Sequence, residues 1–178
     1  MAGRRNTLTG QIGEFLVCAE LGKRELIATP FSGNVPTFDL IVADEQCRCL
    51  PIQVKCSNSN NWRADANLWM DIEIDDHNKR QVFKNVRKLR DEELIYVLVA
   101  ISRAPDGKDR FFILKKKQLQ ELCVAKYRTM MDGIGWKRTR NYKSFDSRVD
   151  TDDLAQEFED NWQLIEKALE ALPPMVTV

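Results

Sequence analysis

The run ELIYVLVAIS, residues 93–102, is apolar over most of its length and rich in β-branched side chains. A strand with one wet face alternates polar and apolar residues. One that is apolar throughout is buried on both faces and needs a layer of structure above and below it. The chain can supply those layers, since 178 residues at 43% hydrophobic suffice for one domain with a substantial core without requiring a second. The expectation is a single α/β domain over residues 1–178, with a central sheet of about five or six strands flanked by helices. The run is far shorter than the ~20 residues that span a bilayer, so no membrane partner is expected.

Around this strand the remaining elements follow from period and punctuation. Residues 9–22 carry Ile12, Phe15, Leu16 and Ala19 at helical spacing, with Thr7 or Thr9 available as N-cap. Gly10 and Gly13 weaken that helix but allow its backbone close to a neighbour. Residues 26–30 read as a short strand and FSGNVP as a loop. Residues 38–43 and 50–55 read as two strands of a hairpin closed by DEQCR, with Pro51 at the start of the second strand or on its open edge. SNSNNWRADAN reads as a polar loop, LWMDIEI as a strand, the basic stretch 78–90 as helix plus loop, and PDG at 105–107 as a turn. RFFIL reads as a strand and KKKQLQELCVAKY as a helix, while residues 128–149 show no clear period. From Thr151 onward, Leu154, Phe158, Trp162, Ile165, Leu169 and Leu172 form one stripe, with an acidic start and Pro173-Pro174 as a stop, predicting one C-terminal amphipathic helix.

The 27 Lys and Arg cancel the 27 Asp and Glu, so net charge names no partner. Their distribution is segregated. Residues 78–90 hold Lys79, Arg80, Lys84, Arg87, Lys88 and Arg90 with no acid, whereas Asp150, Asp152, Asp153, Glu157, Glu159 and Asp160 gather near the C-terminus. A phosphate-binding face on a neutral chain is compatible with this, because local potential decides encounters over a Debye length of roughly 8 Å. A solvated helix face explains any single run equally well. Five cysteines without repeated spacing, one isolated histidine (His77), and a start without an apolar signal core suggest structural thiols in a reduced, cytoplasmic setting.

One polar grouping stands against this background. Side chains alternate across strands, so Asp39 shares a face with Ile41 and Ala43, and Gln53 shares one with Lys55. A turn centred near Gln46 pairs odd residues with odd ones, setting Asp39 beside Gln53 and Lys55 one pleat further on. Polar groups concentrated on an apolar sheet are costly unless a ligand completes them. A Mg²⁺ ion, which takes oxygen ligands and keeps several waters, would do so with Asp39, the Gln53 amide and a second carboxylate, for which Glu14 on the first helix is the candidate. Lys55 would then neutralise a phosphoryl oxygen or orient a metal-activated water.

At these residues the chain resembles the PD-(D/E)xK nuclease superfamily, with GQIGEFLV for the helix bearing the glutamate, FDLIV for the aspartate strand and IQVKCS for the strand ending in lysine. The resemblance implies a restriction-endonuclease-like central mixed sheet flanked by helices. It implies a Mg²⁺-dependent nuclease, with Mn²⁺ as a substitute, acting on phosphodiester bonds of DNA ahead of RNA. Carried over, Glu14, Asp39, Gln53 and Lys55 are the catalytic residues, and Glu14, Asp39, Gln53 and the Val54 carbonyl are the metal ligands. Two departures stand out: Thr37-Phe38 replaces the proline that often precedes the aspartate, and Gln53 replaces an acid. The second favours an alternative, a nuclease-fold protein that binds nucleic acid or a partner protein without cutting. Lys79, Arg80, Lys84, Arg87, Lys88, Lys137 and Arg138 are the candidate phosphate contacts. Among the tryptophans able to stack on bases, Trp62, Trp69 and Trp136, the last is the preferred one, and core packing better suits Trp69. A second copy of the chain is the candidate protein partner, giving a homodimer through the acidic and basic segments.

Overall fold

The computed structural model describes residues 2–31 and 37–174, with side chains from residue 7, so most of the expected FSGNVP loop lies outside the described residues. In chain order the elements are α1 (Ala2–Gly22), β1 (Ile27–Pro30), β2 (Leu40–Ala43), β3 (Cys49–Ser57), β4 (Asn61–Asp65), a 3₁₀ turn (Ala66–Leu68), β5 (Met70–Asp75), β6 (Arg80–Val86), β7 (Ile95–Ala100), β8 (Arg110–Lys115), α2 (Lys116–Asp132), β9 (Asp146–Asp150), α3 (Thr151–Leu154) and α4 (Gln163–Glu170).

Strands β1, β2, β3, β7 and β8 form, in that order, a five-stranded mixed sheet, antiparallel except for the parallel pair β3–β7. Strand β7 lies inside this sheet with Val97, Leu98, Val99 and Ala100 all buried, as its unbroken apolar run predicts. Helices flank the sheet. On one face Val17 and Leu21 of α1 and Ile165 and Leu169 of α4 pack against Leu40, Val42, Ile52, Val54, Val97 and Ile113. On the other, Leu119, Cys123 and Tyr127 of α2 pack against Leu98, Phe112 and Leu114, with the ribbons β4–β9 and β5–β6 beside them. Among the described residues, no helix is long and apolar enough to cross a membrane.

The β2–β3 hairpin has the register its turn position implies, Leu40 opposite Ile52 and Ala43 opposite Cys49. The Ile52 carbonyl faces β2, where it accepts from Asp39 N at 2.9 Å. The missing N–H of Pro51 therefore faces the other way, toward an edge where pairing with β7 begins only at Ile52.

Helix α1 begins earlier than residue 9, so Thr7 and Thr9 lie inside it and do not cap it. Its seated face is also not the predicted one: Gly13, Val17 and Leu21 are buried, whereas Ile12 and Ala19 are exposed and Phe15 is 63% exposed. Gly13 sets this rotation. A Cβ there would lie 2.5 Å from Cys56 Cβ and 2.9 Å from its sulfur, so only glycine lets α1 sit directly on β3; at Gly10 nothing lies within 4 Å. Gly13→Ala is therefore expected to destabilise the fold by about 1–3 kcal/mol through overpacking. Gly10→Ala should be neutral or add up to ~1 kcal/mol of helix propensity. Urea unfolding checks both, and equal stability of the two variants would refute the seating.

Three expectations are corrected. The basic stretch 78–90 holds strand β6 where helix plus loop was expected, because Phe83 pairs with Ile72 of β5 against the core; across the ribbon its cations meet carboxylates, Lys84 with Glu73 at 2.6 Å, Arg87 with Asp71 at 2.9 Å and Arg80 with Asp75 at 3.2 Å. SNSNNWRADAN is not all loop. It contains β4, paired with β9 so that Trp62 and Val149 are buried together. The C-terminal stripe is broken into α3 and α4, because Leu154 and Phe158 belong to the core on one sheet face while Trp162, Ile165 and Leu169 belong to the core on the other. The chain between them wraps the edge of β8, with Ile113 N donating to Phe158 O at 2.9 Å and Asp160 N to Phe111 O at 2.8 Å. Arg110 grips Glu159 through two bonds, at 2.6 and 2.8 Å, and the wrap covers an edge strand that would otherwise present unpaired backbone.

Candidate functional site

Pairing of β2 with β3 stops at Leu40–Ile52, while β3 runs on to Ser57. Beyond that point β3 has, among the described residues, no backbone partner on the β2 side, and a side chain takes over: Asp39 Oδ2 accepts from Val54 N at 2.8 Å. The same oxygen is in close contact with Gln53 Nε2, which also lies 3.5 Å from the Val54 carbonyl oxygen. Gln53 is 7% exposed, so its amide is held at this spot by the surrounding sheet. Lys55, one pleat further along the same face, has an exposed side chain, and its carbonyl accepts from Trp62 Nε1 at 2.9 Å.

Glu14 enters from α1, the residue after the glycine that rests on Val54 and Cys56. Burial pushes its carboxyl above the ordinary carboxylate value, the charge of Asp39 pushes the same way, and Lys55 opposes both. Asp39 and Gln53 are thus in contact at the gap where β2 ends, Lys55 follows one pleat on, and Glu14 lies near enough to feel the charges of Asp39 and Lys55. Tyr96, paired with Gln53 across β3–β7, feels the same group: burial raises its hydroxyl pKa, and Asp39 and then Asp91 add to the rise.

Among the described residues, no cluster of three or more His, Cys, Asp or Glu side chains is present to hold a metal ion. The donors at the gap are two carboxylates, the Val54 carbonyl and an amide. All are hard oxygen donors once the Gln53 amide turns its oxygen toward Asp39, which suits a small divalent cation that retains waters. The Gln53 NH₂ group occupies the position between the Asp39 and Val54 oxygens.

The candidate phosphate contacts are less concentrated. Arg80, Lys84 and Arg87 are engaged with carboxylates of β5, and Lys79 sits at the β5–β6 turn with a positive φ of 50°. Trp136 packs against Phe83 and Tyr127 and donates its indole N–H to Asp132 at 2.8 Å. Arg138 is tied to the carbonyls of Ser144 and Asp146, at 2.6 and 2.7 Å, and Lys137 is exposed beside it. Lys88 shares a cavity with Lys55. That cavity, about 430 Å³, also draws on Trp62, Trp69, Tyr96, Leu119 and Arg90. Sequence reasoning missed Tyr96 and Arg90 as site neighbours. The available signal was one hydroxyl in an otherwise aliphatic strand.

No protein-family model matches this chain, and no curated protein matches it. Among solved structures it aligns with a bacterial homing endonuclease over 93% of this chain and 96% of that one, at 15% identity and a TM-score of 0.47.

Proposed function

We propose that the chain is a nuclease that hydrolyses phosphodiester bonds of nucleic acid, DNA ahead of RNA, with Mg²⁺ or Mn²⁺ as cofactor, and that it is a QxK variant of the PD-(D/E)xK superfamily it resembles. The observation that carries this reading is the convergence of Glu14, Asp39, Gln53 and Lys55 at the end of β2, where Asp39 replaces a backbone partner of β3. Asp39, Glu14, the Gln53 amide and the Val54 carbonyl would hold the cation. When bound, it would acidify a water and offset charge growing on the phosphoryl oxygens.

The chain's own groups do the rest. The bond from Val54 N fixes the Asp39 carboxylate at 2.8 Å, so its free lone pairs keep one direction. Gln53 presents an amide that can turn over in place, since its side chain is buried and its contacts are local. Lys55 is exposed and close enough to Glu14 to influence its carboxyl, and from there it can donate to a phosphate oxygen or hold an attacking water. Lys79, Lys88 and Lys137 meet the nucleic-acid backbone from solvent. Arg80, Lys84 and Arg87 join by exchanging a carboxylate for a phosphate, and Trp136 and Arg138 brace the same side.

Supercoiled, linear and single-stranded DNA incubated with Mg²⁺ or Mn²⁺ should be cut, and EDTA should stop the cutting. Intact DNA in every form, with binding retained, would overturn the enzyme reading in favour of a binding protein.

A further inference from the structure

The cavity beside Lys55 has features that cleavage of a phosphodiester does not by itself require. Two of its wall residues, Tyr96 and Leu98, are the β7 partners of Gln53 and Lys55, so it opens within about one strand spacing, ~5 Å, of the site. Trp62 and Trp69, each 8% exposed, contribute to a largely apolar wall with Leu119 and Val149. The indole N–H of Trp69 has no hydrogen-bond partner among the described residues and is closed off from solvent, so the ring of Trp69 and not its N–H is what the cavity offers a ligand.

The charges around the cavity are unequal. Lys55, Arg63, Lys88, Arg90 and Lys116 face two acids, Asp65 and Asp91. Arg63 is paired with Asp146 at 2.6 Å, and Lys116 lies 3.7 Å from Asp91. That leaves Lys55, Lys88 and Arg90 as cations for a ligand. An apolar, aromatic cavity with cations at its rim matches a flat heteroaromatic ring carrying a phosphate.

We infer that this cavity receives a nucleobase, unstacked from the strand next to the phosphodiester being cut, with the base against the aromatic wall of Trp62 and Trp69 and with Lys88 and Arg90 holding the adjoining phosphate. The ligand class rests on the nuclease reading above. The cavity therefore selects single-stranded or locally opened nucleic acid, because a base inside a duplex cannot reach it without leaving the stack.

The test is a titration of ¹⁵N-labelled protein in EDTA with dAMP, dGMP, dCMP and TMP, following the Trp69 indole N–H, whose resonance is assigned by its loss in Trp69→Phe. At least one nucleotide should shift that resonance saturably, while inorganic phosphate and deoxyribose 5-phosphate should not. Ala64→Leu, which fills the cavity, should abolish nucleotide binding in a folded protein. Lys88→Gln combined with Arg90→Gln, both at exposed positions of the rim, should weaken binding several-fold and provides the test if Ala64→Leu fails to fold. An unmoved Trp69 resonance, or an equal response to phosphate alone, would overturn the proposal. Because EDTA removes cleavage from the readout, the two readings fail separately. Nucleotide binding without metal-dependent cutting would sink the nuclease and keep the pocket; cutting with a silent Trp69 would do the reverse.

Discussion

Asp39→Asn is expected to lower metal-dependent cleavage by roughly 10²–10⁴-fold while leaving the fold within about 1–2 kcal/mol of the starting protein. The choice of asparagine follows from the two roles of Asp39. Its Oδ2 accepts from Val54 N at 2.8 Å, at the point where β3 has lost its β2 partner. An asparagine oxygen keeps that bond, so the end of the hairpin stays closed. What it removes is the negative charge that the cation would meet, and an amide is a weak substitute for a carboxylate toward a hard divalent ion. Asp39→Ala would mix the two roles, because an orphaned Val54 N–H adds a cost of about 1–3 kcal/mol. Initial nicking rates in Mg²⁺, read beside thermal melting, separate chemistry from folding. Cleavage by the folded Asn variant within a fewfold of the parent would mean that the reaction takes place elsewhere.

That prediction rests on geometry which the sequence already carried. Alternation across residues 38–43 and 50–55 and a turn of fixed length leave one register, and the observed pairs Leu40–Ile52 and Ala43–Cys49 are that register. A one-residue slip would have turned Leu40, Val42, Ile52 and Val54 away from α1, so burial itself enforces it. The arrival of Glu14 was less legible. Helical spacing placed a helix there, but of the stripe Ile12, Phe15, Leu16 and Ala19 only Leu16 packs against the core, and the other three point away from it. The seating depends on a missing side chain, Gly13 against Cys56, and hydrophobic periodicity does not register an absence.

The larger misses share one cause, which is that the deciding partner lay far away in sequence. Residues 80–86 carry little apolar pattern of their own; they become a strand because β5 supplies a partner, with Ile72 opposite Phe83 against the core and Gln81 buried against Tyr127. The C-terminal stripe has helical spacing throughout, yet its first and second halves face different cores and the chain must turn at Glu159 to reach both. Spacing reports that residues are buried and is silent on which side of a sheet buries them.

Gln53→Glu is expected to behave oppositely to Asp39→Asn and to expose the cation site without any catalytic readout. At neutral pH and without metal, the introduced carboxyl would replace a donor to Asp39 with a second acid at a position only 7% exposed, within reach of a Glu14 carboxyl already raised by burial and by Asp39. Like charge and burial both push its folded pKa above the unfolded value of about 4.3. The native state then holds the extra proton more tightly than the unfolded chain does. Stability relative to the parent is thus preserved below the ordinary carboxylate range and lost as pH rises from there through the raised folded value. The metal-free variant should be less stable than the parent by about 2–4 kcal/mol near neutral pH, with the gap narrowing as the pH falls toward the carboxylate range. Mg²⁺ should close the same gap at neutral pH, because a cation that binds only the native state stabilises it by mass action and the variant offers one more anionic ligand. Thermal melts at two pH values, with and without Mg²⁺, contain the whole test. A melting temperature that Mg²⁺ raises in neither protein would remove the cation from this corner of the sheet, and an equal rise in both would remove the role assigned to Gln53.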